Sequence, residues 1–290
     1  MAALLALAVT AAVARDAALA QETRGLLFRI DAPGKSSSWV FGTIHLNDPR
    51  VTAIPAPVMA ALASSRRLAP EVVLARADMP AVFAAAAQQE DGHRLAEYFD
   101  ADALERLRVA IGPAAPPAEA LDRLKPWVIW LMLDRGGTVS SAPSLDELLV
   151  VEARARRMTV FGLELPEEQV ASLDALPLAT QVALLRWAVA SRHRVDADRE
   201  AAIEAWLARD LRKLAALAEA PAKADDALAP HLREVAKHLV ENRNIVMAHR
   251  LFLPLRDGRV FVAVGALHLV GPGSLLALIR AQGYRVTRVY

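Results

Sequence analysis

No cysteine occurs anywhere in the 290 residues, which excludes disulfides, thiolate nucleophiles, iron–sulfur clusters and cysteine-ligated zinc. Aromatic residues are scarce at 5%, and no apolar run is long enough for a membrane-spanning helix. Neither sign of charge dominates: 34 basic and 33 acidic side chains leave a formal charge of +1, with no long block of either. A nucleic-acid partner is therefore not expected. Several catalytic signatures are also missing, among them H-E-x-x-H, G-x-S-x-G, the P-loop and the dinucleotide G-x-G-x-x-G. What remains is chemistry built on histidine, carboxylate and arginine.

The apolar content of 54% owes much to alanine, a strong helix former, so the composition predicts a helix-rich globular chain. Met1–Ala14 is uncharged and apolar, the length of a signal-peptide core, and Ala18-Leu19-Ala20 offers small residues where a signal peptidase cuts. The expectation is a signal peptide over residues 1–20 and one domain over 21–290, exported to the periplasm or secreted. No basic residue precedes the apolar core, and the alternatives are a cut after Ala14 or an alanine-rich helix packed on the domain.

Along the chain, Gly25–Ile30 and Trp39–Phe41 read as strands of a hairpin around Pro33-Gly34, ending at Gly42. Pro55–Arg67 has helical spacing, and Val72–Leu74 reads as the next strand. Met79 to about Trp206 is mostly helical, with breaks at Gly112–Pro117, Gly136–Pro143 and Pro177 and a short strand at Thr159–Leu163. Ala218–Pro230 reads as a loop, Pro230–Leu253 as a long helix, Val260–Val264 as a strand, Ser274–Ala281 as a helix and Arg285–Val289 as a terminal strand. Strands at both ends usually join one sheet, so the fold class expected is α+β: a single domain whose mixed β-sheet forms from N- and C-terminal strands, with a large helical insertion. Within that insertion, Pro126–Leu133 with Trp127 and Trp130 reads as core packing rather than a binding groove or a membrane-touching stripe.

A short internal repeat singles out two residues. Val40-Phe41-Gly42-Thr43-Ile44-His45-Leu46 matches Ala263-Val264-Gly265-Ala266-Leu267-His268-Leu269, each a strand, a glycine, two residues, a histidine and a leucine. Both copies lie directly after a predicted strand, where a glycine lets the backbone turn and the histidine leave the sheet end. Neutral imidazoles and a carboxylate are the usual ligands of a divalent ion such as manganese, cobalt or zinc. His45 and His268 supply two. Glu71 and Glu164, each at a predicted strand end, are candidates for the third ligand or for the general base. Arg243, in the polar patch Glu241–Asn244, has the chemistry to neutralise a substrate carboxylate or an oxyanion, although the bland reading of that patch is a solvated helix face. His93, His193, His231, His238 and His249 lie in charged segments and are expected at the surface.

The chain resembles the TraB/PrgY/GumN family, which includes the animal Tiki proteins. The likeness rests on Gly42-Thr43-Ile44-His45 followed by Asp48, Glu71, Lys125-Pro126-Trp127, Gly162-Leu163-Glu164 with Glu168-Gln169, Arg243-Asn244 with Met247-Ala248, and Val264–Leu269 with Gly271 and Gly283-Tyr284. These run in family order from about residue 25 to the C-terminus. The resemblance implies a metal-dependent, protease-like hydrolase, with His45 and His268 on the G-x-x-H positions and Glu71, Glu164, Arg243 and Asn244 on the acidic and Arg-Asn positions. It implies manganese or cobalt more than zinc, and a peptide or small-molecule substrate. Rival classes are a non-catalytic protein that sequesters a ligand in the same cleft, and a surface-polysaccharide accessory protein. One departure from the family pattern is Pro70, directly before Glu71, where proline removes a ladder donor.

Overall fold

A computed structural model describes residues 23–73, 84–88, 92–134 and 142–290. The expected signal peptide, Leu74, the start of the helical region at Met79 and most of the Gly136–Pro143 break lie outside them. Six strands form one sheet: β1 (Leu27–Asp31), β2 (Ser38–Thr43), β3 (Arg67–Pro70), β4 (Thr159–Val160), β5 (Val260–Gly265) and β6 (Arg285–Arg288), in the order β4-β3-β5-β2-β1-β6. β1 and β2 are the expected hairpin, turning at Gly34 with φ +69°, which glycine adopts without steric cost. β6 adds antiparallel to β1. β2, β5, β3 and β4 are mutually parallel, so their carboxyl ends share one edge of the sheet. The fold is thus the mixed-sheet α+β arrangement expected, with N- and C-terminal strands interleaved and helices inserted between them.

Burial explains the parallel centre. Every residue of β5 (VFVAVG) is buried, because a central parallel strand covered on both faces has no solvent side to alternate toward. Around it packs a cluster that includes Phe41, Leu68, Phe261, Trp206 and Leu251. The helical region holds a second apolar cluster, including Leu95, Leu107, Ile129, Leu133 and Leu185. Trp127 is fully buried and Trp130 packs at the edge of the helical cluster, as core packing of Pro126–Leu133 requires.

Several boundaries differ from expectation. The third strand ends at Pro70, before rather than across Val72–Leu74, and the helix α1 (Ala56–Ala63) stops short of Arg67, which opens β3. β4 covers only Thr159–Val160, although Phe161 and Leu163 still donate to Leu68 and Pro70. Pro70 is tolerated because its carbonyl, and so its missing N–H, faces the β4 side, where the regular ladder has already stopped. The loop expected over Ala218–Pro230 is helical to Ala224. Helix Leu211–Ala224 carries Pro221 near its C-terminal end, where little of the helical ladder remains to be broken. The helix expected over Pro230–Leu253 is three pieces: Ala229–Ala236, a π-turn over Lys237–Glu241, and Asn242–Asp257. His231 and His238 are half-buried rather than at the surface, bonded to Thr180 and paired with Glu234.

Candidate functional site

Four polar side chains gather at the carboxyl edge of the parallel strands, the place where open α/β sheets collect ligands. His45 lies two residues beyond β2, Glu71 one beyond β3, His268 three beyond β5 and Glu164 four beyond β4. The β2–β5 register sets Gly42 opposite Val264 and Thr43 opposite Gly265, so the two repeat segments run side by side, offset by one residue.

Neither repeat glycine has positive φ, which corrects the expectation that they turn the backbone. They permit close approach instead. A Cβ on Gly42 would lie 2.8 Å from Leu269 Cδ1 and 3.2 Å from Ala266 Cα. A Cβ on Gly265 would lie 2.9 Å from His45 Nε2 and 3.2 Å from Glu71 Oε1. Each copy's glycine leaves room for the other copy's turn or histidine.

The centre of the site is Glu71 Oε1. It accepts the Gly265 N–H at 2.6 Å and lies 3.6 Å from both His45 Nε2 and His268 Nε2. Each ring is held from behind. His268 Nδ1 bonds Asn244 Oδ1 at 2.8 Å, while Asn244 Nδ2 donates to the Gly273 carbonyl at 2.9 Å, which fixes the amide and directs His268 Nε2 into the site. His45 Nδ1 bonds Asp146 Oδ2 at 3.0 Å, and Thr43 Oγ1 donates to Asp146 Oδ1 at 2.6 Å. Asp146 sits in the first turn of α2 (Leu145–Ala155), capped by Ser144 and tied to the His45 loop by the Leu145 N–H to Leu46 carbonyl bond.

Behind the histidines, Arg243 binds two buried carboxylates. Its Nη2 lies 2.6 Å from Glu71 Oε2 and 2.6 Å from Glu164 Oε2, its Nε lies 2.9 Å from Glu164 Oε1, and its Nη1 donates to the Leu239 carbonyl. That carbonyl belongs to the π-turn, and π-turns recur at functional sites. Gln169 lies 3.3 Å from Glu164 Oε2, while Arg250 binds Glu168 through two nitrogens and donates to the Leu163 carbonyl, fastening the loop that carries Glu164.

The electrostatics divide the two histidines. Burial pushes His268 down to about 4; Glu71 works against this, while Arg243 and His45 add to it, so the ring is neutral at physiological pH. For His45, burial works downward, but Asp146 and Glu71 more than offset it and hold the ring well above the ordinary histidine value. Burial alone would raise Glu71, yet His268, His45 and Arg243 keep it well below the carboxylate range.

All six residues expected at the site are therefore close together: Glu71 between the histidines, Arg243 joining Glu71 to Glu164, and Asn244 behind His268. Asp146 was not expected. Its only local sign was a capping box, which marks a helix start but not a partner about a hundred residues away. The donor types suit a divalent ion, since two imidazole nitrogens and a carboxylate oxygen face one another with both rings oriented by a second set of residues. As they stand they do not close around one: among the described residues, no three His, Cys, Asp or Glu side chains are spaced to hold a metal.

Sheet, edge and side chains together define an α+β protein with a histidine–carboxylate centre at the ends of the parallel strands of its mixed sheet. The chain belongs to the TraB/PrgY/gumN family, whose family model matches residues 26–288. It matches no curated protein and no solved structure. Among the described residues, no single helix is long and apolar enough to cross a membrane.

Proposed function

We propose that this protein is an exported metal-dependent hydrolase acting on peptide bonds, with His45, His268 and Glu71 holding a divalent ion of manganese, cobalt or zinc. The observation that carries the reading is the approach of two imidazole Nε2 atoms to one oxygen of Glu71, each ring fixed from behind by Asp146 or Asn244. When bound, such an ion polarises a carbonyl and makes a water nucleophilic near neutral pH. The chain's own residues do the rest. Asn244 keeps a proton on His268 Nδ1 and a lone pair on Nε2. Asp146, bonded to Nδ1, directs Nε2 of His45, the more exposed ring, toward Glu71. Arg243 keeps Glu71 ionised and holds Glu164 in place, so its donors are largely committed to these carboxylates rather than to a substrate. The apolar Met1–Ala14 core and the small residues of Ala18-Leu19-Ala20 support an exported location.

Elemental analysis of purified protein tests this. The wild type is expected to carry or take up about one divalent ion, needed for hydrolysis of a peptide library, and His45→Ala and His268→Ala are expected to lose both ion and activity while staying folded. A wild type that takes up no divalent ion overturns the reading. The donors' failure to close as they stand favours a second one, a non-catalytic protein that sequesters a peptide or small ligand at the same edge, and tight ligand binding without turnover by metal-free protein would select it.

A further inference from the structure

The helix Asn242–Asp257 presents its polar site residues and its core residues on one side and an uncovered apolar face on the other. Asn244, Met247, Ala248, Leu251 and Leu255 are buried. Ile245 is 60% exposed, Val246 37%, Phe252 48% and Leu253 58%, with the exposed His249 between them. At 3.6 residues per turn these five fall within a sector of about 120°. Isolated exposed apolar residues are ordinary, but a contiguous stripe over two turns of one helix marks a contact surface.

We propose that this face binds the same face of a second copy of the chain, making a two-fold dimer. The pattern is self-complementary in the way an isologous contact requires. Antiparallel packing with the two-fold axis at His249 sets Ile245 against Phe252 of the second copy and Val246 against Leu253, apolar on apolar, four times by symmetry. The same operation brings Glu241, at one end of the face, beside Arg256 of the second copy at the other. Both are exposed, and neither has an ion-pair partner among the described residues. A parallel pairing would set like charges together instead. Complementary charges at the ends of an apolar stripe select orientation and suppress wrong partners. The contact leaves the site edge open, because Asn244 and Arg243 face away from it into the protein.

The complete absence of cysteine gives a direct test. A single His249→Cys substitution puts one thiol on the two-fold axis. Mild oxidation of dilute protein is expected to give a covalent dimer at twice the 31.3 kDa chain mass, whereas Val109→Cys, also exposed, on helix Ala101–Ile111, gives no covalent dimer. Analytical ultracentrifugation of the unmodified chain is expected to show concentration-dependent dimerisation, weakened at least tenfold by Phe252→Glu, with circular dichroism confirming the fold of the variant. The cross-link needs no disruptive change, so it stands if that variant fails to fold. The proposal is overturned by a chain that stays monomeric into the high micromolar range, by a dimer indifferent to Phe252→Glu, by equal cross-linking at positions 249 and 109, or by a monomer that instead binds phosphatidylglycerol vesicles through this face.

Discussion

The two halves of the site are built from near-identical sequence and behave differently. Gly42-Thr43-Ile44-His45 ends in a ring whose side chain is 58% exposed; Gly265-Ala266-Leu267-His268 ends in one that is 7% exposed. The difference arises in the path the chain takes beyond each strand. After β2 the chain runs out toward the start of α2, so His45 rests on Asp146 at the rim. After β5 a tight 3₁₀ turn (Ala266–Leu269) folds His268 back beneath the helix carrying Arg243 and Asn244. Equal motifs thus acquire opposite electrostatics, the buried ring kept neutral and the rim ring favouring its proton.

The buried half is expected to be the structural one. Arg243→Ala leaves Glu71 and Glu164 without their shared cation, and removing one member of a buried ionic cluster costs roughly 3–5 kcal/mol. Denaturant unfolding measures this. A change below about 1 kcal/mol would mean that the carboxylates find water or a bound ion instead, and that the buried half is not held by its arginine.

Titration sharpens the contrast. With its folded pKa near 4 against an ordinary 6.5, His268 takes its proton first in the unfolded chain, so its contribution to metal-free stability is present above pH 6.5 and is lost as pH falls toward 4, by about 3 kcal/mol. His45 has the opposite sign: its pKa is raised, so its contribution is present below 6.5 and declines as pH rises through the folded value, damped by the ring's exposure. Unfolding measured with chelator from pH 4 to 8 should lose its acid-side decline in His268→Gln and its alkaline-side decline in His45→Gln. Identical profiles for the two variants would erase the distinction.

The smallest effect on stability belongs to the rim. Asp146→Asn keeps the side-chain shape and one acceptor, and its thermal midpoint is expected within a few degrees of wild type, while divalent-ion affinity falls about 10–100-fold because His45 is no longer held in one orientation. Isothermal titration with manganese reads this directly. A large loss of stability with unchanged affinity would make Asp146 a fold residue and not an orienting one.

Much of this arrangement was legible in order along the chain. The repeat announced that two strands end alike, and the hairpin, β5 and β6 follow from short apolar runs between turn residues. Boundaries failed where local signals competed with tertiary contacts. Val72–Leu74 has the composition of a strand, but the ladder to β5 ends at Pro70 and the Glu71 carbonyl is taken by Glu164. Pro221 has the character of a loop residue, yet the helix Leu211–Ala224 contains it near its end. The π-turn in the long helix had no local signature at all.

The sequence by itself determined the fold class and singled out the two histidines, because periodicity and repetition are local properties that survive without a partner; the acidic and Arg-Asn positions rested on strand-end placement and on the family resemblance. Only the tertiary structure decided what those residues are to one another: that both histidines face one oxygen of Glu71, that Arg243 neutralises two glutamates, that Asp146 stands behind His45, and that the repeat glycines make room instead of turning. Each of these depends on sheet order and register, which bring Glu71 and Gly265, 194 positions apart, within hydrogen-bonding distance, and on burial, which moves a pKa through the surroundings of a side chain whatever its neighbours in sequence.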